Sequence, residues 1–235
     1  MPVPVTAAIL AAGSGVRFGG SIPKQLLPLA GRPLLAHSLE AFETVDAVDS
    51  VVVVTTDDLV VQVRDLARAV SPKTTNVIAG GLTRDASTRA ALTVAPDPDG
   101  KFLVHDAARP LVAPATIAAC VAALDRFDAV GVAVPSADTL LAVEAGRVTG
   151  IPERSHLWRA QTPQGFRVDI LRRAHAAAAA DPDFTPTDDC GVVARYLTGV
   201  TIGVVTGEPS NVKITYPEDL AVAEALWRRT QASAD

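Results

Sequence analysis

Hydrophobic and amphipathic segments alternate along the first half of this chain. Runs of aliphatic residues about as long as a strand are each followed by a stretch with apolar residues at helical spacing. Such alternation is typical of parallel strands joined by crossover helices. The predicted strands are residues 5–10, 50–55, 76–79, 102–105 and 130–134, and the predicted helices are residues 33–42, 59–70, 87–94 and 114–127. We therefore assign the chain to the α/β class, with a doubly wound, mainly parallel sheet that carries helices on both faces.

The pattern changes after Ser136. Residues 139–143 and 147–151 are two strand-like runs on either side of Glu144-Ala145-Gly146, and this short glycine connection predicts a β-hairpin. A two-stranded ribbon is marginally stable alone, so we expect this arm, at about residues 136–152, to pack on something; a partner subunit is one candidate. Beyond it, the chain predicts helices at 168–180 and 188–197, a strand at 200–205 and a C-terminal helix from near Pro217. Residues 1–235 are interpreted as a single domain from which the arm protrudes.

Composition and charge narrow the classes of function. Hydrophobic residues make up 49% of the chain and charged residues 20%, which is typical of a soluble globular protein. The formal net charge of -5 disfavours a general nucleic-acid-binding protein. The chain shows no basic region of a signal peptide and no apolar run long enough for a membrane span, so we expect a cytoplasmic location. Cys120 and Cys190 are the only cysteines and show no CxxC spacing, and no two of the four histidines stand at i, i+4, so we expect no zinc site. A disulfide is not expected in a chain that looks cytosolic.

A glycine-rich loop with two nearby cations follows the first predicted strand. Gly13 and Gly15 let backbone N–H groups approach a ligand closely, and Arg17 and Lys24 add positive charge a few residues later. Backbone amides and cations both complement phosphate oxygens. The loop does not match the dinucleotide-binding fingerprint, because Phe18 stands where the third glycine belongs, and the chain contains no Walker loop. A tight turn without a ligand is the alternative for the glycines alone, and the two cations favour a phosphate site.

Three further groups of polar residues follow predicted strands. In open α/β sheets, ligands bind beyond the carboxyl ends of the strands, so these groups are expected at the same edge as the glycine loop. Taken singly, each has an ordinary explanation: a turn, a surface ion pair or a solvated lysine. Their convergence on one edge instead predicts a binding site for an anionic ligand. The groups are Gly80-Gly81 with Arg84 and Ser87, Asp106 with Arg109, and Asn211 with Lys213.

These motifs, in this order, carry a resemblance that covers nearly the whole chain. The residues concerned are Leu10-Ala11-Ala12-Gly13-Ser14-Gly15 with Arg17 and Pro23-Lys24-Gln25; Gly80-Gly81 with Arg84 and Ser87; Val104-His105-Asp106-Ala107-Ala108-Arg109-Pro110; Gln161-Thr162-Pro163-Gln164; Thr187-Asp188-Asp189; and Lys213 with Pro217-Glu218-Asp219-Leu220. The chain resembles the sugar-phosphate nucleotidyltransferases and, among them, the 2-C-methyl-D-erythritol 4-phosphate cytidylyltransferase family of the non-mevalonate isoprenoid route. The resemblance implies a Rossmann-like nucleotidyltransferase fold in which the hairpin is a dimerisation arm.

The resemblance also implies the reaction: CTP is joined to a polyol phosphate, and pyrophosphate is released. The acceptor phosphate attacks the α-phosphorus of CTP and needs no general base near neutral pH, because its second pKa is about 6. Catalysis then depends on positioning and charge neutralisation. Mg²⁺ is expected to be held mainly by the CTP phosphates, with Asp106 as an available ligand. Arg17 and Lys24 are expected to stabilise charge on the α-phosphate and pyrophosphate, and Arg154 and Lys213 to position the acceptor phosphate.

Two sets of binding residues and a composite site follow from the same resemblance. In this family the arm places residues in the neighbouring subunit's site, so we expect a homodimer; a hairpin folded back on its own domain is the alternative. The residues implied for CTP are Ala11, Ala12, Gly13, Gly15, Gly80, Gly81, Ser87, Asp106 and Ala107. The residues implied for the acceptor are Asp106, Arg109, Thr139, Arg154, Thr162, Thr187 and Lys213.

Several positions depart from the family pattern, and they concern the acceptor. Leu140 and Leu141 stand where a lysine is common, and Ala194 stands where a glutamate is usual. A cytidylyltransferase for another polyol phosphate, such as ribitol 5-phosphate, would share the nucleotide loop and the arm, whereas Ala108 favours methylerythritol phosphate. Two alternatives belong to other classes. A nucleotide-binding regulatory module would not need cations around the α-phosphate, and an NAD-dependent oxidoreductase is disfavoured by Phe18.

Overall fold

A central sheet flanked by helices dominates the computed structural model, which describes residues 3–13, 22–95, 97–181 and 183–232. The strands are β1 (Val5–Leu10), β2 (Pro28–Leu29), β3 (Arg32–Pro33), β4 (Ser50–Thr55), β5 (Thr74–Ala79), β6 (Lys101–Asp106), β7 (Ala129–Pro135), β8 (Ala142–Glu144), β9 (Arg147–Gly150), β10 (Trp158–Arg167) and β11 (Ile202–Thr206). The helices are α1 (Leu34–Glu43), α2 (Val60–Val70), α3 (Arg84–Thr93), α4 (Pro114–Ala123), α5 (Val168–Ala178), α6 (Asp189–Tyr196) and α7 (Pro217–Ala232). None of these described helices is both long and apolar enough to cross a lipid bilayer.

Seven of the strands form one sheet in the order β11-β7-β10-β6-β1-β4-β5. β1 pairs in parallel with β4 and β6, β4 with β5, and β7 with β11, whereas β10 runs antiparallel between β6 and β7. The predicted mainly parallel sheet is therefore confirmed. Leu10 at the end of β1 is in register with Val54 of β4 and Asp106 of β6, so the loops after these strands leave the sheet at one edge.

The valines of β4 show why this sheet supports helices on both faces. Val51 and Val53 lie in one buried hydrophobic cluster, and Val52 and Val54 lie in another. Because successive side chains of a strand point to opposite faces, an unbroken run of valines supplies both cores at once. Residues of α1, α2 and α4 belong to the first cluster, and residues of α3, α5 and α6 belong to the second.

The pattern of the sequence did not predict β10. This strand reads Trp-Arg-Ala-Gln-Thr-Pro-Gln-Gly-Phe-Arg and lacks the aliphatic residues that mark the predicted strands. Its polar residues are buried because distant groups satisfy them: Gln161 Nε2 donates to the Glu208 carbonyl at 2.8 Å, and Gln164 Nε2 donates to Asp188 Oδ2 at 2.8 Å. Such partners are invisible to a local pattern. The short β2–β3 pair was also not predicted.

Of the helices, α3 and α4 differ most from their predicted ends, for local reasons. α3 begins at Arg84 and not at residue 87, because Thr83 caps it: Thr83 Oγ1 accepts a hydrogen bond from the Ala86 amide at 3.3 Å. α4 ends at Ala123 and not at residue 127, where the chain instead makes successive turn hydrogen bonds such as Asp125 N to the Ala122 carbonyl at 3.1 Å. These shifts do not alter the topology.

The predicted hairpin is present as a separate two-stranded antiparallel sheet made of β8 and β9. Gly146 in its turn has a φ of 77°, in the left-handed region that glycine adopts without strain. Its apolar side chains are not covered by the rest of the chain: the exposed fractions are 43% for Leu140, 53% for Leu141, 59% for Val143 and 55% for Val148. The arm therefore presents an uncovered apolar surface.

Candidate active site

A cavity of about 420 Å³, called the first cavity below, opens at the edge where β1 and β6 end. All four groups of residues that the sequence placed at this edge contribute to its wall. The lining residues are Leu10, Ala11, Ala12, Gly13, Lys24, Gln25, Thr56, Gly81, Leu82, Thr83, Arg84, Ser87, Asp106, Ala107, Ala108 and Lys213. Seven of the nine residues implied for a nucleotide are thus brought together. Of the others, Gly80 lies behind the wall and Gly15, like the cation Arg17, lies outside the described residues.

Gly80 shapes this cavity from behind. Its amide donates to the Thr55 carbonyl at 2.7 Å, which continues the pairing of β5 with β4. A Cβ at Gly80 would lie 2.6 Å from Ser87 Oγ, 2.8 Å from Ala12 Cβ and 2.9 Å from Val54 Cγ1. Only glycine lets the end of β5 approach the cavity wall so closely.

Replacing Gly80 with alanine is expected to displace Ala12 and Ser87 and to raise the KM for the nucleotide. Overpacking of this kind costs about 1–3 kcal/mol, and each 1.4 kcal/mol that falls on binding is about tenfold in affinity. Steady-state kinetics and a thermal melt measure the two effects. Gly131→Ala is a matched control, because its new Cβ would meet only Cys190 Sγ, at 3.6 Å. Equal nucleotide KM values for the two variants would contradict this role of Gly80.

A second cavity, of about 240 Å³, adjoins the first. Its lining residues are Arg84, Asp106, Arg109, Ala160, Gln161, Thr162, Gln164, Thr187, Asp188 and Lys213. Five of the seven residues implied for the acceptor are among them. Arg84, Asp106 and Lys213 line both cavities, so the two spaces meet at one carboxylate and two cations.

Asp106 holds both cations at this junction. Its Oδ1 accepts a hydrogen bond from Arg84 Nε at 3.0 Å, and its Oδ2 accepts one from Lys213 Nζ at 2.7 Å. Burial alone would raise the pKa of the Asp106 carboxyl, but the charges of Arg84 and Lys213 outweigh it and hold this pKa well below its usual range. Asp106 is therefore ionised at neutral pH.

A directed chain of hydrogen bonds supports the Asp106 backbone. His105 Nε2 lies 3.1 Å from the Arg109 carbonyl, and since a carbonyl only accepts, Nε2 carries the proton. His105 Nδ1 then accepts from the Thr162 hydroxyl at 3.0 Å, and the Thr162 oxygen accepts from the Asp106 amide at 3.1 Å. Complete burial lowers the pKa of His105 to about 4, so the ring is neutral and this order of donors is fixed.

The loop that carries Lys213 is tied to the same region. Asn211 Nδ2 donates to the Thr162 carbonyl at 2.9 Å, and the Ile214 amide donates to the Ala108 carbonyl at 2.8 Å. Arg109 donates through Nη1 to the Asn211 carbonyl at 2.8 Å. Arg109, predicted as an acceptor-binding residue, thus also fixes the loop next to Lys213.

Thr139 and Arg154 line neither cavity within one chain. Both are exposed, and Arg154 Nη1 donates to the Ala137 carbonyl at 3.1 Å, close to the arm. Their assignment to the acceptor stays a prediction, and it requires the site of a neighbouring subunit.

Several residues of the site received no individual role from the sequence. Arg84 and Asn211 were predicted at this edge as members of the groups that indicate an anion site, and Asp189 and Gln164 were quoted in motifs only. Arg84 and Asp189 form an ion pair in which 1% of the Asp189 side chain is exposed. Asn211 and Gln164 each hold a lining segment through hydrogen bonds. Their positions after predicted strands or in quoted motifs were the available signal. Arg84 and Asp189 are 105 positions apart, so their pairing is not readable from spacing.

Comparisons with known proteins agree with this geometry. The family model described as "IspD: 2-C-methyl-D-erythritol 4-phosphate cytidylyltransferase" matches residues 5–229. The protein of that name from Thermobifida fusca is 50% identical over 232 residues, which cover 95% of this chain and 93% of the relative. A solved structure of 4-diphosphocytidyl-2C-methyl-D-erythritol synthase from Anaerococcus prevotii has a TM-score of 0.86 at 29% identity and covers 96% of each chain. The 2-C-methyl-D-erythritol 4-phosphate cytidylyltransferase of Thermus thermophilus has a TM-score of 0.74 at 34% identity, over 97% of this chain and 100% of its own.

Proposed function

Because the chain belongs to the 2-C-methyl-D-erythritol 4-phosphate cytidylyltransferase family, it transfers CMP from CTP to methylerythritol phosphate in isoprenoid biosynthesis, and we propose that the first cavity receives CTP and the second receives the acceptor. The observation that carries this assignment is the junction: Arg84, Asp106 and Lys213 line both cavities. The two reacting phosphates must lie next to each other, and the two cavities meet at these three residues. The relatives compared above are named for the methylerythritol substrate, so ribitol 5-phosphate is not favoured.

In the proposed mechanism, an oxygen of the acceptor phosphate attacks the α-phosphorus of CTP, and pyrophosphate leaves. Four or more negative charges then crowd one small space, so the main task of the protein is to neutralise and orient them. Lys24 lines the first cavity and Lys213 lines both. We assign Lys24, together with Arg17, to the α-phosphate and the leaving pyrophosphate, and Lys213 to the acceptor phosphate. Because no proton has to leave a dianionic phosphate, no general base is required.

Cytosine recognition is proposed for the wall formed by the ends of β1 and β5. Ala11, Ala12, Gly81 and Ser87 line this wall, and Ser87 is buried. The Ala11 amide already donates to the Val54 carbonyl at 2.6 Å and is not free to bind the base. Hydrogen bonds to the edge of cytosine would therefore come from the backbone carbonyls of this wall and from the neighbouring amides. Each hydrogen bond lost to a wrong base leaves a buried polar group unpaired, at a cost of about 1–3 kcal/mol.

Mg²⁺ is proposed as the metal that accompanies CTP. The described residues contain no cluster of three or more His, Cys, Asp or Glu side chains that could hold a metal by themselves. Asp106 is the acidic residue that lines the first cavity. This donor set fits Mg²⁺, which is often bound by one carboxylate, substrate phosphates and water. When bound, the ion would neutralise phosphate charge, and Lys213 and Arg84 would keep the Asp106 carboxylate ionised beside it.

A homodimer formed through the arm is proposed from its uncovered apolar surface. Leu140, Leu141, Val143 and Val148 are each about half exposed in a single chain, and burying such side chains is the usual driving force for association. Thr139 and Arg154 lie beside this surface and line neither cavity of their own chain. A partner's cavity is the place where they would meet the acceptor.

Mixed dimers test the composite site. Lys24→Ala and Arg154→Ala proteins, each nearly inactive alone, are expected to regain turnover when unfolded together and refolded, because each mixed dimer contains one site with neither change. Random pairing makes half of the dimers mixed, so about a quarter of wild-type activity is expected. A mixture that stays inactive, or a monomer in gel filtration of the intact protein, would contradict the composite site. Removal of residues 138–150 should yield the monomer.

Pyrophosphate release tests the proposed substrates. Each of CTP, UTP, ATP and GTP is offered with methylerythritol phosphate and, separately, with ribitol 5-phosphate. We expect turnover with CTP and methylerythritol phosphate. Turnover with ribitol 5-phosphate alone would overturn the acceptor assignment, and equal turnover with UTP would overturn the proposed cytosine wall.

A single domain over residues 1–235 stays a prediction, as does the cytoplasmic location. Cys120 and Cys190 are both free thiols, which is typical of proteins from a reducing compartment and supports that location.

A further inference from the structure

Arg84 of α3 lies where the two cavities meet, and two of its three guanidinium nitrogens are held by carboxylates. Nε donates to Asp106 Oδ1 at 3.0 Å, and Nη1 donates to Asp189 Oδ2. Burial alone would lower the pKa of Arg84, but Asp189 and Asp106 outweigh it and raise this pKa above its usual value. The third nitrogen, Nη2, is buried and has no hydrogen-bond partner in the part of the chain that the structure describes.

Asp189 is the residue that fixes Arg84 from the far side. It is the first residue of α6, and only 1% of its side chain is exposed. His175 Nε2 of α5 donates to Asp189 Oδ1 at 2.9 Å, and the Asp189 amide donates to Gln164 Oε1 of β10 at 3.1 Å. Asp189 lines neither cavity. Its carboxylate therefore reaches the cavities through Arg84, which lines both of them.

We propose that Asp189 is a positioning residue for cytidylyl transfer: it holds Arg84 so that Nη2 donates to a phosphate oxygen where CTP and the acceptor meet. This inference rests on the function proposed above. A guanidinium group is planar, so carboxylates on Nε and Nη1 together fix its plane and leave the Nη2 protons for a ligand. Phosphate is the ligand that those protons suit, because the site must receive two phosphates at this point.

The charge of Asp189 affects the positions of both Arg84 and Lys213. Asp106 is shared between Arg84 and Lys213, with one oxygen for each. Without the Asp189 charge, Arg84 would be free to pair with both oxygens of Asp106, as arginine and carboxylate groups commonly do. Lys213 would lose its partner, and Nη2 would turn away from the phosphates. Asp189 therefore maintains the separation of the two cations.

Double-mutant kinetics test this proposal on the intact protein. Asp189→Asn keeps the shape of the side chain and removes its charge, and we expect kcat to fall about 10- to 100-fold with the KM for CTP changed less than about threefold. Arg84→Lys, which cannot span both carboxylates, is expected to lower kcat at least as much. In the double variant, Asp189→Asn should have almost no further effect, because it acts through Arg84. Asp169→Asn is the matched control: Asp169 also lies in the first turn of a helix and pairs with an arginine, Arg173, on the surface, and its kcat should equal that of the wild type.

Two results would overturn the proposal. One is an unchanged kcat in Asp189→Asn; the other is an equal loss from Asp189→Asn whether residue 84 is arginine or lysine, which would mean a general structural effect. If a thermal melt shows that Asp189→Asn does not fold, His175→Gln replaces it in the same cycle, with a several-fold loss of kcat expected and an unchanged kcat contradicting the proposal. A wild type without turnover would instead contradict the proposed function.

Discussion

Replacing Lys24 with alanine is expected to lower kcat by about 10²-fold or more while the protein remains folded. Lys24 begins a short 3₁₀ turn, Lys24–Leu26, and lines the first cavity beside Gly13. An ammonium group there would stabilise the negative charge that builds up between the α-phosphate and the leaving pyrophosphate in the transition state. Its loss should therefore affect the transition state more than the binding of CTP, and the KM for CTP should change much less than kcat.

Steady-state kinetics and a thermal melt decide this prediction. Lys73→Ala is the matched control, because Lys73 lines neither cavity and donates to the Val45 carbonyl at 2.8 Å. Its kcat should equal that of the wild type. A Lys24→Ala protein with wild-type kcat would remove Lys24 from the mechanism, and one that fails to fold would show a structural role instead.

Replacing Asp106 with asparagine is expected to reduce both activity and stability. Asp106 is the carboxylate that holds Arg84 and Lys213, and 12% of its side chain is exposed. Breaking a fully buried ion pair by removing one partner typically costs about 3–5 kcal/mol. Here the Lys213 side chain is 39% exposed and Arg84 keeps Asp189, so we expect a smaller loss in the free energy of unfolding, about 1–3 kcal/mol. We also expect kcat to fall about 10²-fold or more, since both cations at the junction would move.

Denaturant unfolding at several pH values checks the stability part. The pKa of Asp106 is lowered in the folded protein, so its contribution is complete above the usual carboxyl pKa and is lost only as the pH falls through the lowered value. The difference between wild type and Asp106→Asn should therefore persist at mildly acidic pH and shrink under strongly acidic conditions. Glu40→Gln is the control, because Glu40 pairs with Arg32 at 2.7 Å and both side chains are about half exposed. Equal stability of wild type and Asp106→Asn at neutral pH would contradict the role of the ion pairs.

Much of the sheet could be predicted because its cause is local. The valines at 51–54 bury both faces of β4, and a run of this kind carries its signal in the sequence itself. β10 could not be predicted, because Gln161 and Gln164 are buried only through partners such as Glu208 and Asp188, which lie far along the chain. Helices show the same contrast. The middle of a helix could be predicted from the spacing of apolar residues, whereas its ends depend on capping contacts such as that of Thr83.

The residues of the site also include some that could be predicted from the sequence and some that could not. Lys24, Ser87, Asp106 and Lys213 could be predicted, because each follows a strand end or a recognisable motif and the sheet brings those ends together. The partnership of Arg84 with Asp189 could not, because it joins two helices across the sheet edge and depends on their packing. The resemblance to a family indicated the reaction, and the structure added that the two cavities meet at Arg84, Asp106 and Lys213.

In the proposed mechanism, the two substrate phosphates meet beside Asp106, between cations from separate loops. The most direct measurement is a crystal structure of the protein with methylerythritol phosphate and a CTP analogue whose α,β-bridge cannot be cleaved. We expect cytosine against the Ala12–Ser87 wall, an acceptor oxygen about 3–3.5 Å from the α-phosphorus, and Lys24, Arg84 and Lys213 around the two phosphates. Phosphates bound in separate regions, with Lys213 and Arg84 contacting neither, would contradict it.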